Sequence, residues 1–193
     1  MWGYLRTRPR RLAGLLRVVP TLTRFALGRA DRGALKSAFI RATLGGSHRA
    51  DLNAWTDAYV PRVVASARRQ ARQRIAMHRA AGDLLVLLSA STDLYVPELA
   101  RALGFDAVIC TELVWEGDRL DGRLLTPNRR AAEKERCLAE LRAEHPHCTV
   151  AAYANASSDI AHLRMAHRPL LVNGNLFARR LARRYGIPSV RWR

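Results

Sequence analysis

Residues Leu84-Leu85-Val86-Leu87-Leu88 form an unbroken apolar run that passes at once into Ser89-Ala90-Ser91-Thr92-Asp93. Apolar residues without polar alternation suit a strand buried on both faces of a parallel sheet, and parallel strands need crossover helices. From residue 84 onward the chain is therefore expected to build an α/β layer. The pattern that follows predicts a helix over 93–103, a strand near 107–114, a turn-rich hairpin through Gly117 and Gly122 and a helix over 131–144. A second buried strand at 149–153, a helix opening near Asp159, a strand at 170–172, a helix over 176–185 and a strand near 189–192 complete it. Such alternation implies a parallel sheet with helices on both faces and ligand sites at the carboxyl ends of its strands.

The first eighty-two residues read as helices only. Leu12, Leu15, Leu16 and Val19 recur at helical spacing, with Arg10, Arg17 and Arg24 on another face. A second helix is expected from an Asp31 cap to Gly45-Gly46, and a third from Asp51 to Gly82 with an interruption at Pro61. Residues 1–82 are thus a helical region and 83–193 an α/β core. The net charge of +17 is uneven: residues 1–50 carry +10, residues 51–150 sum to zero and residues 151–193 carry +7. A neutral middle with 49% hydrophobic residues is a globular domain with basic flanks, not a disordered nucleic-acid coat.

Three cysteines, Cys110, Cys137 and Cys148, lie far apart with no C-x-x-C pair, which speaks against a disulfide framework or zinc cage and for a reducing, cytoplasmic setting. The longest N-terminal apolar stretch is broken by Arg17, Pro20 and Arg24, so no transmembrane segment is expected.

Three features could carry chemistry. Ser89 and Ala90 follow the first buried strand, where a hydroxyl and backbone N–H groups could hold a phosphate, although Ser, Thr and Asp also make ordinary caps. Lys134, one of two lysines beside 31 arginines, stands near a helix start as a point charge for a phosphoryl group or as a solvated surface residue. Asp159, the only acid after residue 150, follows Tyr153-Ala154-Asn155 as a metal-organising carboxylate, a cap or an arginine partner.

In order and spacing these features resemble the haloacid dehalogenase (HAD) superfamily, closest to its phosphoserine-phosphatase-like branch, subfamily IB. Leu84–Ser89 is similar to that family's second motif, Leu103-Gly104-Phe105-Asp106 with Thr111-Glu112 and Asp121-Gly122 to its middle segment, and Lys134 to its third-motif lysine. Tyr153 to Asp159 resembles the fourth motif, and Leu27-Gly28, Asp31-Arg32 and Lys36 the small helical cap. The resemblance implies a HAD-like Rossmannoid fold with an N-terminal cap, phosphomonoester hydrolysis, Mg²⁺ as cofactor and a phosphorylated small molecule as partner. It implies Ser89, Ala90 and Lys134 as phosphate-binding residues, and Asp159 and Asn155 at the metal position.

Two departures bear on chemistry. The family's first motif, a central strand ending in Asp-x-Asp-x-Thr that supplies the nucleophile, occurs nowhere in the 193 residues, and Asn155 replaces the metal-binding Asp. The expectation is a phosphatase scaffold that is truncated or inactive as written, its central nucleophile strand missing. The competing expectations are a non-catalytic protein that binds a phosphorylated ligand or a protein partner, and a basic binder of nucleic acid or anionic membrane. No recognition motif, aromatic interleaving of the basic helices or zinc finger supports that last reading, which would show as affinity that falls steeply with salt.

Overall fold

Asp31 opens the first long helix as its cap: its Oδ1 accepts the Ala34 N–H at 2.7 Å. The computed structural model describes residues 9–193, with side chains from Gly14 onward, so Arg10 and Leu12 lie outside the described side chains. A 3-10 helix, Pro9–Val18, leads into α1 (Val19–Ala26), followed by α2 (Arg32–Leu44), α3 (Arg49–Ser66) and α4 (Arg69–Ala80). The expected interruption at Pro61 is absent, and the break falls at Ala67-Arg68 instead. Pro61 and Asp57 are both exposed, so the carbonyl that Pro61 cannot pair with is open to water and the helix continues.

The α/β part runs β1 (Val86–Thr92), α5 (Val96–Leu103), β2 (Ala107–Thr111), β3 (Leu113–Glu116), β4 (Arg119–Leu124), α6 (Ala132–Glu144), β5 (Ala151–Ala154), α7 (Ile160–Leu163), β6 (Arg168–Val172), α8 (Leu176–Arg184) and β7 (Ser189–Val190). β1 pairs with β2, β3 with β4, and β5-β6-β7 form a three-stranded ladder. β5 and β6 are parallel, as are β6 and β7, with Tyr153 opposite Leu170 and Leu171 opposite Ser189. The α/β class with a parallel sheet is thus as expected. Among the described residues, β1 has β2 alone as ladder partner and β5 stands at the edge of its ladder, so each keeps one side unpaired.

The chain divides into two compact units, one of residues 1–65, 89–102 and 110–128, the other of residues 66–88, 103–109 and 129–193. In the first, Ile40, Leu44 and Leu52 of the helices close on Leu113 and Leu120 of the β3–β4 hairpin, all nearly inaccessible. Gly122 in β4 has φ +91°, and a Cβ there would lie about 3.0 Å from the Arg41 backbone, so α2 crosses the hairpin where no side chain fits. Trp55 stacks on Tyr59 at 4.7 Å, Tyr59 meets Tyr95 edge-on at 5.3 Å, and Thr56 donates to the Leu94 carbonyl at 2.7 Å. These contacts fix the turn that follows β1.

In the second unit, Leu163, Leu171, Ala178 and Ala182 are fully buried between the parallel ladder and α7 and α8. Small alanines let α8 approach the sheet, and Asn175 caps it by accepting the Ala178 N–H at 2.8 Å. Leu171→Ala should cost roughly 3 kcal/mol, as for other fully buried leucines, whereas exposed Leu176→Ala should stay within roughly 0.5 kcal/mol. Urea unfolding of the two variants checks the difference.

Candidate functional site

Lys134 is the third residue of α6, where its backbone N–H bonds the Ala131 carbonyl at 2.8 Å. Its side chain turns inward to Asp159, Nζ to Oδ1 at 3.1 Å, with only 12% and 9% of the two side chains exposed. Asp159 closes the short 3-10 turn Ser157–Asp159 that follows β5. Parallel-strand geometry explains the placement: the loop after β5 emerges at the carboxyl end, where the start of a neighbouring helix can reach it. Two of the sequence-predicted residues are therefore brought together as an ion pair in low-dielectric surroundings.

His162, one helical turn beyond Asp159, completes this cluster and had no signal beyond that spacing. It is 5% exposed and its Nδ1 is buried without a hydrogen-bond partner. Burial, reinforced by the Lys134 charge and opposed by Asp159, pushes its imidazole down to about 4, so it stays neutral at physiological pH.

Asn155 opens onto a cavity of about 430 Å³ at the carboxyl ends of β5 and β6, lined also by Arg68, Tyr153, Asn173 and Trp192. Asn173 holds φ +53° there while its Oδ1 accepts the Trp192 N–H at 2.9 Å. Tyr153 Oη lies 2.7 Å from His78 Nε2, and His78 Nδ1 lies 2.6 Å from Asp83 Oδ2. With Nδ1–H directed at the carboxylate, Nε2 accepts a hydrogen bond from the Tyr153 hydroxyl.

Ser89 and Ala90 belong to the first unit and sit inside β1. The strand runs on to Thr92, so the expectation of a strand ending at Ser89 is corrected. The Ala90 carbonyl is held by partners remote in sequence: Thr111 donates Oγ1–H to it at 3.1 Å, and the Lys36 ammonium of α2 donates to it as well. Lys36 also donates to Asn128 Oδ1 at 3.1 Å. Ser89 Oγ accepts the Ser91 N–H at 3.1 Å, a local bend that leaves the hydroxyl hydrogen available. The helix expected from Asp93 begins instead at Val96, because Asp93 serves another purpose: its Oδ2 accepts the Leu113 N–H at 3.3 Å. Burial pushes the Asp93 carboxyl up, against the Leu113 bond, and its Oδ1 is buried without a partner.

Burial pushes the Lys36 ammonium down to about 8, with Cys110 and Asp93 opposing. The folded chain then gives up this proton near pH 8 while the unfolded chain keeps it to about 10.5, so the unfolded state binds more protons in between. Stability contributed by Lys36 should rise with pH across that window. Unfolding of the wild type and Lys36→Met at several pH values tests this: the wild type should gain on the variant as pH rises, and a constant difference would refute the buried ammonium.

A family model described as haloacid dehalogenase-like hydrolase matches residues 1–164. Protein CicA of Caulobacter vibrioides (strain NA1000 / CB15N) is 36% identical over 166 residues, which span 83% of this chain and 72% of CicA. A protein of unknown function from Bordetella pertussis Tohama I superposes with a TM-score of 0.75 at 22% identity, over 88% of this chain and 78% of that one. A probable phosphoserine phosphatase from Vibrio cholerae does so with a TM-score of 0.73 at 15% identity, over 92% of this chain and 52% of that one. At these identities the two structures speak for the fold alone, while the family model covers most of the sequence. The chain belongs to the haloacid dehalogenase-like hydrolase family.

Proposed function

We propose that this chain is a phosphoserine-phosphatase-like scaffold that holds a phosphomonoester and, as written, does not hydrolyse it. The observation that carries this reading is the Lys134–Asp159 pair, a buried lysine fixed by a carboxylate at the carboxyl end of a parallel ladder. An ammonium has three N–H bonds, and Asp159 takes one direction, so a phosphoryl oxygen can accept another. In the first unit, the resemblance to the family assigns a phosphate-binding role to Ser89, whose Oγ–H is an available donor, and the role of a cap to the helical region.

Mg²⁺ serves the family by neutralising phosphoryl charge. The residues here do not fit it. Asp159 Oδ1 is engaged by Lys134, Asn155 offers a neutral amide, and among the described residues no three His, Cys, Asp or Glu side chains converge. No Asp-x-Asp-x-Thr run supplies a carboxylate that could accept the phosphoryl group. The roles that the chain's own residues support are binding and orientation of a phosphoryl group.

Thermal unfolding in the presence of inorganic phosphate tests the reading. The wild type should melt at a temperature that climbs with phosphate concentration, by about 2.7 kcal/mol of linked stability at a hundredfold excess over Kd, and Lys134→Ala should lose the dependence. Alongside it, p-nitrophenyl phosphate with Mg²⁺ should remain intact. Turnover that Lys134→Ala abolishes would overturn the non-catalytic assignment.

A further inference from the structure

Helix α1 and the 3-10 helix before it turn Val18 inward, 8% exposed, and half-bury Thr21 and Phe25. The solvent side of a helix in a globular fold normally carries polar residues. Here it is aliphatic: Leu16 is 76% exposed, Val19 52%, Leu22 51% and Leu27 62%, with Pro20 and Ala26 exposed among them. Leu16, Val19, Leu22 and Ala26 recur every three or four residues and so share one side of the rod. The exposed Thr23 spends its hydroxyl hydrogen within the helix, donating Oγ1–H to the Val19 carbonyl at 3.1 Å. Exposed Arg17 and Arg24 border the patch, exposed Arg29 and Arg32 follow it, and Arg32 also lies over the Phe25 ring at 5.8 Å.

Charge selects the occupant. Residues 1–50 hold eleven basic side chains against the single acid Asp31, so a second copy would bring the same +10 against itself. Nucleic acid matches the charge but offers no partner for four aliphatic side chains. An anionic bilayer supplies both, acyl chains for the leucines and lipid phosphates for the arginines. We propose that residues 14–29 lie in the interface of an anionic phospholipid bilayer, with Leu16, Val19, Leu22 and Leu27 among the acyl chains and Arg17 and Arg24 at headgroup level. This surface is independent of the phosphoryl-binding reading and adds to it a membrane-peripheral location.

Co-sedimentation of the full chain with vesicles tests the proposal. The chain should pellet with vesicles of phosphatidylcholine and phosphatidylglycerol and stay in the supernatant with phosphatidylcholine alone. Arg24→Glu should weaken binding by roughly tenfold or more, since each basic residue near the surface contributes on the order of a factor of five. Leu22→Asp, at a half-exposed position, should weaken it comparably while leaving the melting temperature unchanged. Wild-type protein left in the supernatant with the anionic vesicles would overturn the proposal, as would Leu22→Asp binding as tightly as wild type. A dimer in sedimentation velocity that Leu22→Asp dissolves would overturn it too, by assigning the patch to a second copy.

Discussion

The ion pair between Lys134 and Asp159 is the interaction that ties together the loop after β5 and the start of α6 in the second unit. A lysine and a carboxylate buried to this degree are costly apart, because each would face low-dielectric surroundings without a partner. Together they tie the first turn of α6 to the turn after β5, and His162 beneath them stays neutral because its burial and the Lys134 charge both oppose protonation. Fixed charge is thereby placed where an open parallel sheet presents its ligands, at the carboxyl ends of its strands.

The first unit uses a lysine in a comparable way. Lys36 reaches from α2 to the Ala90 carbonyl and Asn128, which ties the helical region to the strand segment that carries Ser89. In a chain that uses arginine almost everywhere else, both lysines are half-buried or buried and both are engaged at family-motif segments. Lysine suits such places because its compact ammonium can be desolvated and shifted, whereas the broad guanidinium fork stays charged and needs more room. Most of the described arginines are exposed, and several pair with nearby acids or sit over aromatic rings, as Arg49 does over Trp115 at 3.8 Å, while Arg129 is an exception with 12% of its side chain exposed.

Much of this was legible from residue order. Local chemistry decided the Asp31 cap, the start of α6 ahead of Lys134 and the order of strands and helices after residue 84, although the single strand expected near 107–114 is two, β2 and β3. Boundaries that depend on partners far along the chain did not follow from local pattern. β1 runs to Thr92 instead of stopping at Ser89 because the Ala90 carbonyl is held by Thr111 and Lys36. Asp93 caps no helix because Leu113 claims its carboxylate. His162 was invisible for the same reason: a single histidine on a short helix carries no sign of which charges will face it until the fold brings Lys134 and Asp159 there.

A double-mutant cycle on Lys134 and Asp159, read by urea unfolding, tests most directly whether this pair organises the site. Lys134→Ala should destabilise by roughly 3 kcal/mol because it strands the Asp159 carboxylate, and the double variant should cost less than the sum of the single ones, with a coupling of roughly 2 kcal/mol. Single effects that add to within roughly 0.5 kcal/mol would contradict it, leaving Lys134 and Asp159 as neighbours without mutual dependence.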